Sequence, residues 1–340
     1  MSIKNSSSST LKLSLIDFFS LLPEISSQFI HNQKGYIAIM RIDHWFKNVF
    51  MLPGMVLALV YFNVNLTANL VLNIFLGIFA TCLIASANYV INEWLDAEFD
   101  KFHPVKKFRP SVTQALSAKV IYSQYIILSI AGLTIASSIN LSFFFCALFL
   151  LIMGFLYNVE PFRTKDKQYL DVISESINNP IRLALGWFIF VPAVLPPSSM
   201  LLAYWMGGAF LMATKRFAEY RFINDAETAG LYRRSFKHYT EQSLLISIFF
   251  YALTATFFLG IFLIKHRIEF LFSFPLFALL FAWYLQIGFR KDSPVQYPEK
   301  LYKEKIFMLF IGFLTVILLS LFYIDMPWLQ FLLENNLTLS

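Results

Sequence analysis

The sequence predicts an all-α integral membrane protein, a bundle of about nine transmembrane helices with its polar site on the cytoplasmic side. Three observations predict it. Of 340 residues, 58% are hydrophobic and only 14% charged, whereas soluble domains carry about a quarter charged residues. Apolar segments close to the ~20 residues that span a bilayer recur at 49–65, 68–92, 118–137, 140–158, 169–193, 199–222, 243–264, 269–288 and 306–324. The cations alternate with these segments. Of 27 Lys and Arg residues, only Lys265 and Arg267 oppose an arrangement that places the N-terminus and every even-to-odd connection in the cytoplasm.

The chain divides into an N-terminal extension (1–35), a membrane domain (36–325) and a short tail (326–340). Residues 2–10 are Ser-rich and lack the apolar core of a signal peptide. Residues 11–29 read as an interfacial amphipathic helix. The net charge of +6 sits in short loops, so topology accounts for it and a nucleic-acid partner is not expected. Cys82 and Cys146 each lie in an apolar run; they are expected to pack, not to form a disulfide or a metal site.

The second span ends in a polar stripe. Asn88, Asn92, Asp96 and Asp100 recur every four residues and share one helical face, with Glu93 beside them. Acids inside a span are costly unless they face a cavity or a partner. Hard oxygen donors of this kind suit Mg2+, whose shell substrate phosphates and water complete. The connection that follows, His103-Pro104-Val105-Lys106-Lys107-Phe108-Arg109-Pro110, is held non-helical by its prolines. It brings Lys106 and Arg109 to the acids as candidate phosphate ligands.

On the fifth span Asp171, Glu175, Asn178 and Arg182 fall on one face, and Arg182 would lie within the membrane, where it needs a carboxylate or an anionic ligand. Pro180 is expected to kink this helix and widen the space around it. The sixth span ends in Lys215, Arg216 and Glu219. Lys215 and Glu219 are an i,i+4 pair in the weaker order, free to pair across helices or with a ligand. Two acidic and two basic patches at one membrane face describe a pocket for a metal-bound diphosphate.

These residues resemble the UbiA superfamily of intramembrane prenyltransferases. Its first signature appears here as Asn92-Glu93-x-x-Asp96-x-x-x-Asp100 and its second as Asp171-x-x-x-Glu175. The resemblance covers roughly residues 36–325. It implies a lipid-open bundle in which Asn92, Glu93, Asp96, Asp100 and Asp171 hold Mg2+, with Asp96, Asp100 and Asp171 catalytic. Within the superfamily the chain looks most like the decaprenyl-phosphate phosphoribosyltransferase branch. Arg41, Trp45, Lys47 and Asn48 carry that likeness, with the His103–Pro110 extension, Arg182, Gly186, Lys215, Arg216 and Glu219. The branch implies transfer of 5-phosphoribose from phosphoribosyl diphosphate to a polyprenyl phosphate, in a bacterial inner membrane. Lys47, Asn48, Asn88, Lys106, Arg109, Glu175, Asn178, Arg182, Lys215 and Arg216 would then bind substrate. Glu93 stands where the superfamily usually has Asp, and Glu175, Asn178, Asn179 and Pro180 fit the branch less well. Transfer of a prenyl group from a prenyl diphosphate to an aromatic or other small acceptor is the alternative. A transporter is a remoter one, since internal repeats and glycine-broken helices are not evident.

Overall fold

The computed structural model describes residues 33–332; the predicted amphipathic helix and the end of the tail lie outside them. The described residues contain helices and no strand. A short helix α1 (Gln33–Ala38) leads through a 3-10 stretch (Ile42–Met51) into α2 (Leu52–Phe62), which begins with Pro53 in its first turn, where a missing N–H costs nothing. α3 (Ala68–Asp100) is capped by Thr67, whose side chain accepts from Leu70 N. A strap (101–117) containing α4 (Pro110–Thr113) joins it to α5 (Ala118–Ile139). Asn140 caps α6 (Leu141–Asn158), accepting from Phe143 N at 2.8 Å.

The predicted fifth span is two helices, α7 (Leu170–Ser176) and α8 (Asn178–Phe190), parted at Ile177. Pro180 does not kink a continuous helix; it occupies the first turn of the second one. α9 (Ser198–Ile223) and the short α10 (Ala226–Tyr232) follow. α11 (Glu241–His266) opens on a capping box formed by Thr240 and Ser243, and α12 (Phe274–Gly288) and α13 (Lys305–Leu321) close the bundle.

Among the described residues six helical segments are long and apolar enough to cross a membrane: 33–62, 68–100, 118–139, 141–158, 241–266 and 268–288. Each of the other three predicted spans also falls on helix, but one is broken, one ends in charge and one is shorter, so this measure does not reach nine. The outward surface fits a hydrocarbon solvent: Phe249, Phe257 and Leu309 are 65%, 63% and 74% exposed, a pattern that would be an aggregation hazard in water.

Two close approaches position the site. α2 crosses α8 backbone to backbone: a Cβ on Gly54 would lie 1.9 Å from the Leu183 carbonyl oxygen, and one on Gly186 would lie 2.0 Å from that of Met51. α3 packs along α5 and meets α6 at Gly154, where the Asn88 amide fills the space of the missing side chain and donates to the Leu150 carbonyl at 3.1 Å.

Candidate active site

The polar stripe of α3 meets cations from three directions. Asp96 Oδ1 accepts from Arg163 Nη2 at 2.9 Å and lies 2.5 Å from Lys165 Nζ. Both cations come from the 159–169 connection. Asp100 pairs with Arg109 of the strap at 2.7 Å. Glu93, one residue off the stripe, turns toward Ser111 at 3.4 Å and Arg41 at 3.9 Å. Asn92 Nδ2 donates to Asn158 Oδ1 at 2.5 Å and to Asp96 Oδ2 at 3.3 Å. Burial pulls the Lys165 ammonium down to about 8, although Asp96 draws it upward.

The second acid motif is tied together by Arg216 of α9. Its Nε reaches Asp171 at 3.3 Å, Nη2 reaches Glu175 at 3.0 Å, and Nη1 reaches Glu219 at 3.3 Å. Asp171 is fully buried and also accepts from Ser235 at 3.1 Å and Tyr239 at 2.8 Å. Glu175 accepts from Tyr157 at 2.7 Å. Glu219 in turn holds the strap: it accepts from Lys106 Nζ at 2.7 Å and Tyr232 at 3.0 Å, and lies 3.5 Å from His103 Nε2. His103 Nδ1 accepts from the Val105 and Lys106 amides, which leaves the proton on Nε2, facing Glu219. Burial lowers the pKa of His103, and Glu219 only partly offsets this. For Lys106 burial also acts downward, but Glu219 and Tyr232 outweigh it and hold the ammonium above its ordinary value.

Four cations stand apart. Among the described residues Lys47, Arg182, Lys215 and Arg233 have no carboxylate oxygen within 4.0 Å. Arg182, 8% exposed, is held by neutral groups, its Nε donating to Asn48 Oδ1 at 3.0 Å and its Nη1 to the Asn178 carbonyl at 3.3 Å. Lys47 lies over the Tyr89 ring at 5.5 Å. The Nε of Arg233 is buried without a hydrogen bond, its guanidinium lying over Tyr232 and Phe236.

The expected site residues thus fall in several clusters, around Asp96, Asp100, Glu93, Arg216 and Arg182, while Asn88 is spent on the α3–α6 contact. Among the described residues no three His, Cys, Asp or Glu side chains converge as a ready-made metal cage. The donor set still fits Mg2+, which takes few protein ligands and needs substrate oxygens. All five acids have protein partners, but Asp96 and Glu175 keep 17% and 28% of their side-chain surface, whereas Glu93, Asp100 and Asp171 retain 3% or less. Arg163, Lys165, Ser235 and Tyr239 enter the network without having been singled out; the first two counted only as topology charges, and nothing in the sequence marks the last two.

Residues 49–314 match the UbiA prenyltransferase family. The chain belongs to that family. Decaprenyl-phosphate phosphoribosyltransferase of Mycolicibacterium smegmatis is 30% identical over 226 residues, covering 65% of this chain and 67% of the relative. The enzyme of that name from Mycobacterium tuberculosis is 27% identical over 227 residues, covering 65% and 70%. A UbiA homolog from Archaeoglobus fulgidus, solved bound to GPP and Mg2+, superposes with a TM-score of 0.62 at 21% identity, covering 83% of this chain and 99% of that one. That likeness establishes the fold, helical throughout the described residues. The family match makes this chain a UbiA-family transferase, and its long apolar helices make it an integral membrane protein.

Proposed function

We propose that this UbiA-family protein is a Mg2+-dependent phosphoribosyltransferase that moves 5-phosphoribose from phosphoribosyl diphosphate to a polyprenyl phosphate, releasing diphosphate. The observation that carries this reading is the set of four site cations without a carboxylate partner, Lys47, Arg182, Lys215 and Arg233. Arg182 and Lys215 fall within predicted spans, where a cation needs an anion; Lys47 and Arg233 flank spans and add charge for the same ligands. A prenyl diphosphate and a neutral aromatic acceptor bring one anionic group between them. Phosphoribosyl diphosphate and a lipid phosphate bring three. The names of the relatives point the same way.

In the proposed reaction a phosphate oxygen of the lipid attacks C1 of the ribose as the C1–O bond to diphosphate breaks. The nucleophile is already an anion and needs no base. Asn92, Asp96 and Glu175 are the residues that would hold Mg2+, which supplies charge neutralisation for the departing diphosphate. Lys106 and Arg109, carried by the strap, close over the same oxygens. Arg216 fixes Asp171 and Glu175 relative to Glu219 and, through Lys106, relative to the strap. The site faces the cytoplasm in this reading, where the soluble donor is found, and the cation distribution supports that orientation.

A prenyl-transfer reading has one observation in its favour, the fold it shares with a homolog bound to GPP and Mg2+. One experiment separates the two. Purified protein is incubated with labelled phosphoribosyl diphosphate, long-chain polyprenyl phosphate and Mg2+, with and without chelator, and extracted lipid is counted. Chelator-sensitive label in the lipid is the expected result. Unlabelled lipid from folded protein refutes it and transfers the test to prenyl diphosphates with aromatic acceptors.

A further inference from the structure

We propose that Arg182, Asn48 and Asn178 form a second anion subsite, deeper in the membrane domain than the acid-lined one, which takes a phosphate monoester. The inference rests on the proposed function for its role in turnover, but it stands on separate geometry.

Arg182 is committed on one side only. Nε and Nη1 are spent on Asn48 and on the Asn178 carbonyl, while Nη2 makes no hydrogen bond to a described residue. Asn48 is turned so that its oxygen faces the guanidinium, because its Nδ2 donates to Cys82 Sγ at 3.1 Å. The Asn178 side-chain oxygen is buried without a hydrogen bond; turned over, that amide presents two N–H donors instead. A guanidinium with a free edge beside neutral amides lacks one component, an anion. Lys47, adjacent to Asn48 in the chain, and Lys215 add positive charge at the mouth, both within electrostatic reach of Glu175.

Arg182 follows Glu175 by seven residues, a rise of about 10 Å at 1.5 Å per residue. The subsite therefore lies deeper than the acid motif, yet close enough for the long Arg182 side chain to serve a group reacting there. Two anionic substrates would repel each other in a low-dielectric site. Separate subsites, one served by acids and metal and the other by Arg182, neutralise each anion where it sits. The crossing at Gly54 and Gly186 sets the distance between Asn48 and Arg182 by backbone contact. A monoester reaches this depth on a lipid tail or as the 5-phosphate of the donor, and the test distinguishes the two sources.

The test uses full-length protein in nanodiscs and measures binding of farnesyl phosphate, farnesol, ribose 5-phosphate and pyrophosphate. Two variants remove the cation in different ways: Arg182→Gln deletes it, and Asn48→Asp neutralises it with a carboxylate where an oxygen now sits 3.0 Å away. Both are expected to weaken farnesyl phosphate about tenfold or more, leaving farnesol and pyrophosphate within about twofold. If ribose 5-phosphate weakens instead, the subsite stands and serves the donor. The proposal is overturned if neither monoester weakens, or if farnesol falls in parallel with farnesyl phosphate. Labelled phosphoribose transfer is run alongside. Wild-type protein that binds farnesyl phosphate through Arg182 yet transfers no phosphoribose sinks the functional reading alone. Transfer with unchanged binding in both variants sinks the subsite alone.

Discussion

Replacing Glu219 with Gln should release the strap from α9. Glu219 is 2% exposed and meets Lys106, Tyr232, Arg216 and His103. In the variant Arg216 keeps Asp171 and Glu175, whereas Lys106 loses its carboxylate partner. Breaking a fully buried pair costs about 3–5 kcal/mol, but the Lys106 side chain is 17% exposed and can turn toward water. The scale for a lost hydrogen bond to a charged group, about 1.5–3 kcal/mol, is therefore the relevant one. At 1.4 kcal/mol per tenfold, the population with the strap opened rises about 10- to 150-fold. Limited trypsinolysis in proteoliposomes reads this directly, because cleavage of a briefly opened segment follows its population when reclosing is fast. Cleavage at Lys101 and Lys107 should accelerate by that factor, while cleavage at Lys291, in the 289–304 connection, should not change. Equal rates at all three sites, or equal acceleration at all three, would refute the assignment of Glu219 as the anchor of the strap.

Gly186→Ala places a methyl against the Met51 carbonyl and should destabilise the protein by about 1–3 kcal/mol as the two helices part, read as a lower melting temperature in detergent. An increase, as helix propensity alone would give, contradicts the tight crossing. Asp96→Asn should lower transfer about a hundredfold or more with little loss of stability, since Arg163 keeps Asp166 at 2.9 Å and Lys165 keeps Asn158 at 2.8 Å. Asp171→Asn disturbs contacts to Arg216, Ser235 and Tyr239 together, so activity and thermal stability should fall jointly; a stable but inactive variant would instead point to a direct role in the chemistry. Chelation should stop lipid labelling and added Mg2+ restore it, and activity persisting after exhaustive chelation would remove the metal from the reaction.

The helices were legible because bilayer length and hydrophobicity are local properties, and every predicted span falls on helix. The acid stripe was legible for a related reason, as a four-residue period on α3 survives in any tertiary context. The break at Ile177 was announced by Asn178, Asn179 and Pro180 but misplaced, because a proline that suits the first turn of a helix ends the helix before it, not at its own position. Pairings between distant segments leave no spacing to read. Lys106 meets Glu219 across 113 residues, and Arg163 meets Asp96 across 67; in the sequence each cation looks like any loop charge on that face. The pairing of Arg109 with Asp100, around the prolines of the strap, follows no helical spacing either.

The crossing of α2 and α8 has a further consequence for how a long isoprenoid chain is accommodated. Where Gly54 and Gly186 bring main-chain atoms into contact, no gap is left for even a single methylene, since carbon atoms need about 3.5–4.0 Å between centres. That seam is therefore closed to hydrocarbon, and a substrate tail must thread out of the bundle between other helices.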